Sequence, residues 1–367
     1  MIEIFGPTYR YNGEILTEPE IIYVNDHHYD DNNHCFHVKT LLENSACDPM
    51  KHLVVFDHIN HDDELSNYNL LCMPIFLAAE AKEFESRNIQ PNWSNKTRAF
   101  NFMINKPRLN REFLLILIEH FKLNNYTHSL CWKQVILSRD KMIANTKSEL
   151  YKQIINNTEV NIPEKSYTFG QEIFLDQGLR YGQIRNGENY AGLLKDTLFE
   201  PSCVSLITEP SFYERETLKT EKTIMAIYGG TLPIWVGGWA IPESMRRLGF
   251  DVFDDIVDHS YERLADPWDR AYHAVEKNLH LLQDIDRTRK FIQNNQARFQ
   301  HNLDLVRRNV FMEDLVEKIN RYDVKTQRVL REISRGFRFR LFADYKLLGD
   351  ILGKSSGPPI KETKRWG

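Results

Sequence analysis

The chain has 367 residues, 42% of them apolar and 12% aromatic, and its 47 Lys and Arg against 51 Asp and Glu leave a formal net charge of −4. This composition supports sizeable cores in two domains or one large one and excludes a chain disordered over its bulk. Five cysteines without a CxxC pair point to a reducing compartment. The start MIEIFGPTYRYNGE lacks both the basic and the apolar region of a signal peptide. The longest apolar run, Phe113 to Ile118, falls far short of the roughly 20 residues of a membrane span. A cytoplasmic protein is therefore expected.

Taken in chain order, residues 1 to about 90 alternate short apolar runs with polar loops. Ile21–Val24 and Leu53–Phe56 read as strands, each followed by a loop rich in Asp and His. Val38–Leu42 and Ile75–Phe84 read as helices. Lys96–Ile104 alternates as a strand does. Pro107 then delays helix until Leu109, and REFLLILIEHF is an amphipathic helix ended by Asn124-Asn125. Leu130–Ile136 reads as a further strand. Residues 138–200 are polar and irregular, with weak helix signals at Lys147–Ile155 and Tyr190–Phe199.

The stretch from Cys203 to Asp258 is the most regular. Val204–Ile207 reads as a buried strand, and Thr217 or Thr220 caps a helix ended by Gly229-Gly230. Leu232–Val236 is the next strand, and Pro242 opens a short helix closed by Gly249. This is one half of a doubly wound α/β domain. From Pro267 to Asp350 the spacing is helical throughout, and Lys and Arg outnumber Asp and Glu after Leu281. The tail GKSSGPPIKETKRWG is a linker-like composition.

Two places invite anion chemistry. Lys222 stands in the first turn of the helix opened by Glu221, where free N–H groups already favour an anion and the macrodipole gives a cation no benefit. The loop NKPRLNR sets Lys106, Arg108 and Arg111 ahead of a long apolar helix. On the residues alone, the Glu221-Lys222 pair reads first as an ordinary solvated pair, and a solvated turn explains the loop as well as phosphate binding does. Asp57, His58, His61, Asp62 and Asp63 match no standard metal spacing, and the Asp284-Ile-Asp286 triplet falls within helical periodicity rather than after a strand. A phosphate-binding P-loop, a GxGxxG fingerprint and a nucleophile elbow are absent from the sequence. Neither a metal nor a cofactor is expected.

The order of these motifs resembles the donor-binding half of alpha-1,3-fucosyltransferases: Thr220-Glu221-Lys222, the helix TIMAIYGG, then Thr231-Leu232-Pro233-Ile234-Trp235-Val236-Gly237. The continuation Arg247-Leu248-Gly249-Phe250, Phe253-Asp254-Asp255-Ile256-Val257-Asp258 and Ser260-Tyr261 is similar to a branch common in phages, giant viruses and marine bacteria. So are Leu206-Ile207-Thr208-Glu209 and the loop Asn105 to Arg111. The resemblance covers roughly 95–135 and 200–265.

It implies a GT-B fold, two Rossmann-like domains facing a cleft, and an inverting, metal-independent transfer of fucose or another sugar from a nucleotide-diphosphate donor. Arg108, Arg111, Glu209, Thr220, Glu221 and Lys222 would be its donor-binding set. Glu221 would hold donor hydroxyls, while Lys222 and Arg111 would hold phosphate. The family's tyrosine three residues before the glutamate is Leu218 here, which leaves the donor open. The general base cannot be carried over. Asp57, at the end of LVVFD, is the choice by position, with His58, His61 and Asp62 as rivals.

The expected organisation is an acceptor-side domain over 1–135, with the donor domain alternatively starting near 95. A nucleotide-sugar domain over 136–265, a helical region over 266–350 and a flexible tail over 351–367 follow. The partners implied are a nucleotide sugar and a glycan, lipid-linked or protein-linked acceptor. Peripheral membrane contact through the Arg-rich helices and oligomerisation through the C-terminal helices stay open. Two other readings compete: a transferase acting on a DNA base, which calls for a broad basic face near the cleft, and a non-catalytic glycan-binding or scaffold protein.

Overall fold

A computed structural model describes residues 2–5, 20–24, 52–56, 67, 69–73, 75–86, 88–104, 108–130, 137–160, 198–209, 212, 220–322, 327 and 330–331. The chain divides into two compact units, Met1–Lys318 and Ile319–Gly367. In the second, the Gln327 side-chain amide donates to the Tyr322 carbonyl at 2.7 Å. The first holds two four-stranded parallel sheets. Among the described residues no helix is long and apolar enough to cross a membrane.

The first sheet runs β1 (Ile2–Phe5), β2 (Glu20–Val24), β3 (His52–Phe56) and β4 (Asn69–Cys72) in sequential order. Leu53, Val54 and Val55 are all buried, as befits a parallel strand covered on both faces. Helix α1 (Ile75–Ser86) follows. The sequence anticipates β2, β3 and α1 closely. It misses β1 and β4, each only four residues long. Val38–Leu42 lies outside the described residues.

The second sheet begins with β5 (Arg98–Ile104), continues through α2 (Leu109–His120) and β6 (Tyr126–Leu130), and passes α3 (Arg139–Asn145) and α4 (Glu149–Asn157). It is completed by β7 (Ser202–Ile207), α5 (Glu221–Gly229) and β8 (Leu232–Trp235). Its order is β6-β5-β7-β8. The first residue of this sheet in the sequence is therefore Arg98. Then come α6 (Ile241–Arg247), a 3-10 turn (Ser260–Arg263), α7 (Pro267–Glu276), α8 (Leu279–Gln283), α9 (Ile285–Asn294), α10 (Gln296–Arg308) and α11 (Val310–Asn320).

Sequence expectations are corrected at β5, at α2 and at the Asp284-Ile-Asp286 triplet. β5 does not alternate: Ala99 through Ile104 are all buried, because it is an interior strand with both faces covered. Helix α2 is not amphipathic either, since Leu109 to Ile118 are buried all round, Asn110, Arg111 and Glu112 included. It ends before Asn124-Asn125, with Lys122 in the left-handed region at φ 54°. β6 at Tyr126–Leu130 is an edge strand whose position tolerates the polar run Thr127-His128-Ser129, and of the strand expected over Leu130–Ile136 all but Leu130 lies outside the described residues. Asp284 is the N-cap of α9 and Asp286 its second residue, so that pair opens a helix rather than sitting within one.

Gly229-Gly230 is more than a helix stop. Gly230 has φ 61°, and a Cβ there would lie 2.5 Å from the Trp93 ring. At Gly229 a Cβ would lie 2.6 Å from that of Phe199. The segment before β5 uses this space: Trp93 Nε1 donates to the Tyr228 carbonyl at 2.9 Å, and buried Lys96 donates to the carbonyls of Gly229 (2.6 Å) and Ser202 (2.8 Å). The end of α5 and the start of β5 are thereby locked together.

The outer edge of β8 is closed by side chains. The Pro233 carbonyl meets His259 Nε2 at 3.2 Å, and the Trp235 N–H donates to the Tyr261 hydroxyl at 3.2 Å. The N–H and C=O of one strand residue face the same side. Pro233 therefore lacks its donor on the side away from β7, where no ladder bond is lost. The Ser260-Tyr261 run read from the sequence is thus an edge cover, which also denies the strand to other chains.

Candidate functional site

Strand order reverses between β5 and β7. With right-handed crossovers, β5–α2–β6 and β7–α5–β8 must leave in opposite directions and place their helices on opposite faces. In keeping with this, α2 packs on α4 and α7, and α5 on α1 and α10. The carboxyl ends of β5 and β7 are thus a topological switch point, the place where doubly wound sheets bind ligands.

Glu209 lies two residues past the end of β7 and is fully buried. Its Oε1 accepts from the Thr220 N–H at 2.8 Å and from the Thr223 hydroxyl at 3.1 Å. Its Oε2 accepts from the Thr220 hydroxyl at 2.7 Å. Thr223 Oγ1 in turn accepts from Trp235 Nε1 at 3.2 Å. Glu209 therefore clips together the two ends of the 210–219 connection and ties the start of α5 to β8. Burial raises its pKa above the ordinary carboxylate value, opposed by Lys222 and by the hydrogen bonds from Thr220.

Thr220 is the N-cap of α5, its Oγ1 facing the Lys222 N–H at 3.4 Å, as the threonine cap read from the sequence anticipates. Lys222 is not a solvated surface cation. It is 4% exposed, and its Nζ lies 3.0 Å from Thr220 Oγ1, 3.5 Å from Glu221 Oε1 and 3.9 Å from Glu209 Oε2. One lysine thus stands between two buried carboxylates at a helix amino end, a position that local helix energetics do not favour. Glu221 is itself 6% exposed.

Beyond the carboxyl end of β5, α2 starts with Leu109 and brings Asn110 and Arg111 into its first turn, both buried; Arg108 is partly exposed. Asn110 Nδ2 donates to the Glu209 carbonyl at 2.9 Å and faces the Val236 carbonyl at 3.4 Å. One amide thereby joins the carboxyl ends of three strands. Glu112 accepts from the Ser138 N–H at 2.7 Å and from its hydroxyl at 3.3 Å. Burial raises the Glu112 pKa against those bonds.

Of the sequence-derived set, the structure joins Glu209, Thr220, Glu221 and Lys222 in one hydrogen-bonded cluster and links Asn110, neighbour of Arg111, to its backbone. Asp57, His58, His61, Asp62 and Lys106 lie outside the described residues. Sequence reasoning passed over Asn110 and Thr223. The only signal for Asn110 was an amide set between two arginines at a helix start.

The acidic run 251–258 has another role. Arg246 bonds Asp254 at 2.7 and 2.8 Å and Glu262 at 2.8 Å. Arg298 bonds both Asp251 and Asp255. Arg246 and Arg298 hold Asp254 and Asp255, respectively, below the usual carboxylate range. His259 sits buried with Nδ1 3.1 Å from Asp254, its pKa lowered by burial. Arg246, Asp254, Asp255, His259 and Glu262 line an open groove of about 670 Å³ beside α6. The carboxylates there are engaged in pinning the segment that covers β8.

No protein family and no curated protein matches this chain. One solved structure, an alpha,alpha-trehalose-phosphate synthase (UDP-forming) from Burkholderia vietnamiensis, aligns over 82% of this chain and 73% of its own at 12% identity with a TM-score of 0.30. A likeness of that size carries no argument about chemistry.

Proposed function

We propose that the protein is a glycosyltransferase that binds a nucleotide-diphosphate sugar at the crevice between β5 and β7 and transfers the sugar with inversion, without a metal ion. The observation that carries the reading is the buried cluster at the start of α5. A helix amino end and a lysine are fixed there by Thr220 and Glu209 at the switch point of a parallel sheet. The resemblance of this same stretch to fucosyltransferase-like enzymes supports it.

In this mechanism the acceptor hydroxyl attacks the anomeric carbon, its proton passes to a general base, and the diphosphate leaves with the bonding electrons. Lys222, the amino end of α5 and Arg111 offset the charge that develops on the leaving group. Glu209 and Thr220 hold Lys222 in place, and Glu221 takes donor hydroxyls. Asp57 is the proposed base, with His58, His61 and Asp62 as rivals.

The test is a melting-temperature screen of the full chain against UDP, GDP, ADP, CDP and their sugars. One nucleoside diphosphate should raise the melting temperature far more than the others. Isothermal titration of Lys222→Ala, checked for a native far-ultraviolet spectrum, should then show that diphosphate binding at least tenfold weaker. A chain that no nucleoside diphosphate stabilises, or a variant that binds as the wild type does, sinks the reading.

A further inference from the structure

Asn110 carries an acceptor that the fold does not use. The residue is fully buried, and its Oδ1 has no hydrogen-bond partner. The amide cannot be turned over to relieve this. Both Nδ2 contacts are to carbonyl oxygens, Glu209 O at 2.9 Å and Val236 O at 3.4 Å, and a reversed amide would set oxygen against oxygen. The orientation is therefore fixed by its partners. The orphan acceptor belongs to the side chain that bridges the carboxyl ends of β5, β7 and β8, one residue from Arg111. Through Glu209 it is joined to the cluster that caps α5.

The chemistry of the crevice is asymmetric. The α5 amino end, Lys222 and Arg111 offer hydrogens and positive charge, and they match phosphate oxygens, which bring no hydrogen of their own. Asn110 Oδ1 offers a lone pair and matches only a ligand O–H or N–H. A buried polar atom left unpaired is costly, and a site built around one discriminates against a ligand that lacks the complementary group.

We propose that Asn110 is a specificity-determining residue: its Oδ1 accepts a hydrogen bond from a hydroxyl group next to the diphosphate of the bound nucleotide sugar, on the ribose or on the transferred sugar. This rests on the nucleotide-sugar reading of the crevice and adds to it the group that tells a hydroxylated ligand from its deoxy analogue.

The experiment is isothermal titration of the full chain. The probes are the nucleoside diphosphate that gives the largest melting shift, its 2′-deoxy and 3′-deoxy forms, and its sugar conjugate with and without a 2-deoxy-2-fluoro substitution. Removal of one hydroxyl should weaken binding about five- to tenfold in the wild type. In Asn110→Ala the same removal should change binding less than twofold. The ribose and sugar arms identify which hydroxyl is read.

Should Asn110→Ala fail to fold, the wild type labelled with 15N-asparagine serves instead. The Asn110 side-chain amide, protected by its two carbonyl partners, should shift with the hydroxylated probe and not with the deoxy one. Absence of binding by every probe overturns the function proposed above. Binding of all deoxy analogues within twofold of their parents, discrimination that survives in Asn110→Ala, or an Asn110 resonance that ignores the hydroxyl overturns the role of Asn110 alone.

Discussion

Removal of Glu209 tests whether the α5 amino end is held as described. The carboxylate is fully buried and receives three hydrogen bonds, two on Oε1 and one on Oε2, with Lys222 3.9 Å away. Glu209→Ala strands the Thr220 N–H and both threonine hydroxyls and removes one of the two anions beside Lys222. A hydrogen bond to a charged group contributes about 1.5–3 kcal/mol, and breaking a buried ion pair costs about 3–5 kcal/mol. These terms overlap, and the expected loss is about 4 kcal/mol.

Glu209→Gln is gentler because its remaining oxygen can still serve Thr220 and Thr223, while its amide donates to Thr220 Oγ1 once that hydroxyl turns. Its expected loss is about 1–2 kcal/mol. The pH dependence has a definite sign. Burial raises the folded pKa of Glu209 above its ordinary value of 4.5, so the folded chain keeps this proton to a higher pH than the unfolded chain does. The Glu209 contribution therefore falls as pH rises from 4.5 through the folded value, and the advantage of the wild type over Glu209→Gln narrows across that window. Urea unfolding followed by tryptophan fluorescence and far-ultraviolet circular dichroism measures both. A Glu209→Ala variant within about 1 kcal/mol of wild type, or a gap to Glu209→Gln that widens with pH, refutes the buried clip.

Two further predictions address the frame around the site. Gly230→Ala forces a side chain into φ 61° and against the Trp93 ring, and should cost about 3 kcal/mol, read as a fall in the urea midpoint at unchanged slope. His128 stacks on Phe102 at a centroid distance of 5.2 Å, and burial lowers its pKa to about 4 from 6.5. The unfolded chain takes up this proton near 6.5 and the folded one does not. Acidification to about pH 4 should therefore cost about 3 kcal/mol of stability that His128→Phe retains. A variant with the same acid sensitivity as wild type would contradict that burial.

Much of the second sheet was legible from strong local signals. The Thr220 cap, the Gly229-Gly230 stop, Pro242 at the start of α6 and the apolar strands Val204–Ile207 and Leu232–Val236 all act within a few residues. The polar part of β6, Thr127-His128-Ser129, was not legible because an edge strand obeys its position in the sheet rather than its apolar content. Helix α2 was misread as amphipathic because the burial of Asn110, Arg111 and Glu112 depends on distant partners such as Glu209 and Ser138. The same applies to Lys222. Its sequence neighbours suit a solvated pair, and only Glu209, thirteen residues earlier and brought close by the fold, makes it a buried one. The acidic run was legible as a motif but not as structure, because Arg298, which engages Asp251 and Asp255, lies more than 40 residues away.

The central claim is that the crevice at the start of α5 seats a diphosphate through protein cations. The direct measurement is isothermal titration of the full chain, in a chelating buffer, with the preferred nucleoside diphosphate and with the corresponding nucleoside. The account predicts that the diphosphate binds at least about 100-fold more tightly than the nucleoside with divalent metal removed, a difference of about 2.7 kcal/mol. Equal affinity for the two, or diphosphate binding that returns only when a divalent metal is restored, would contradict it.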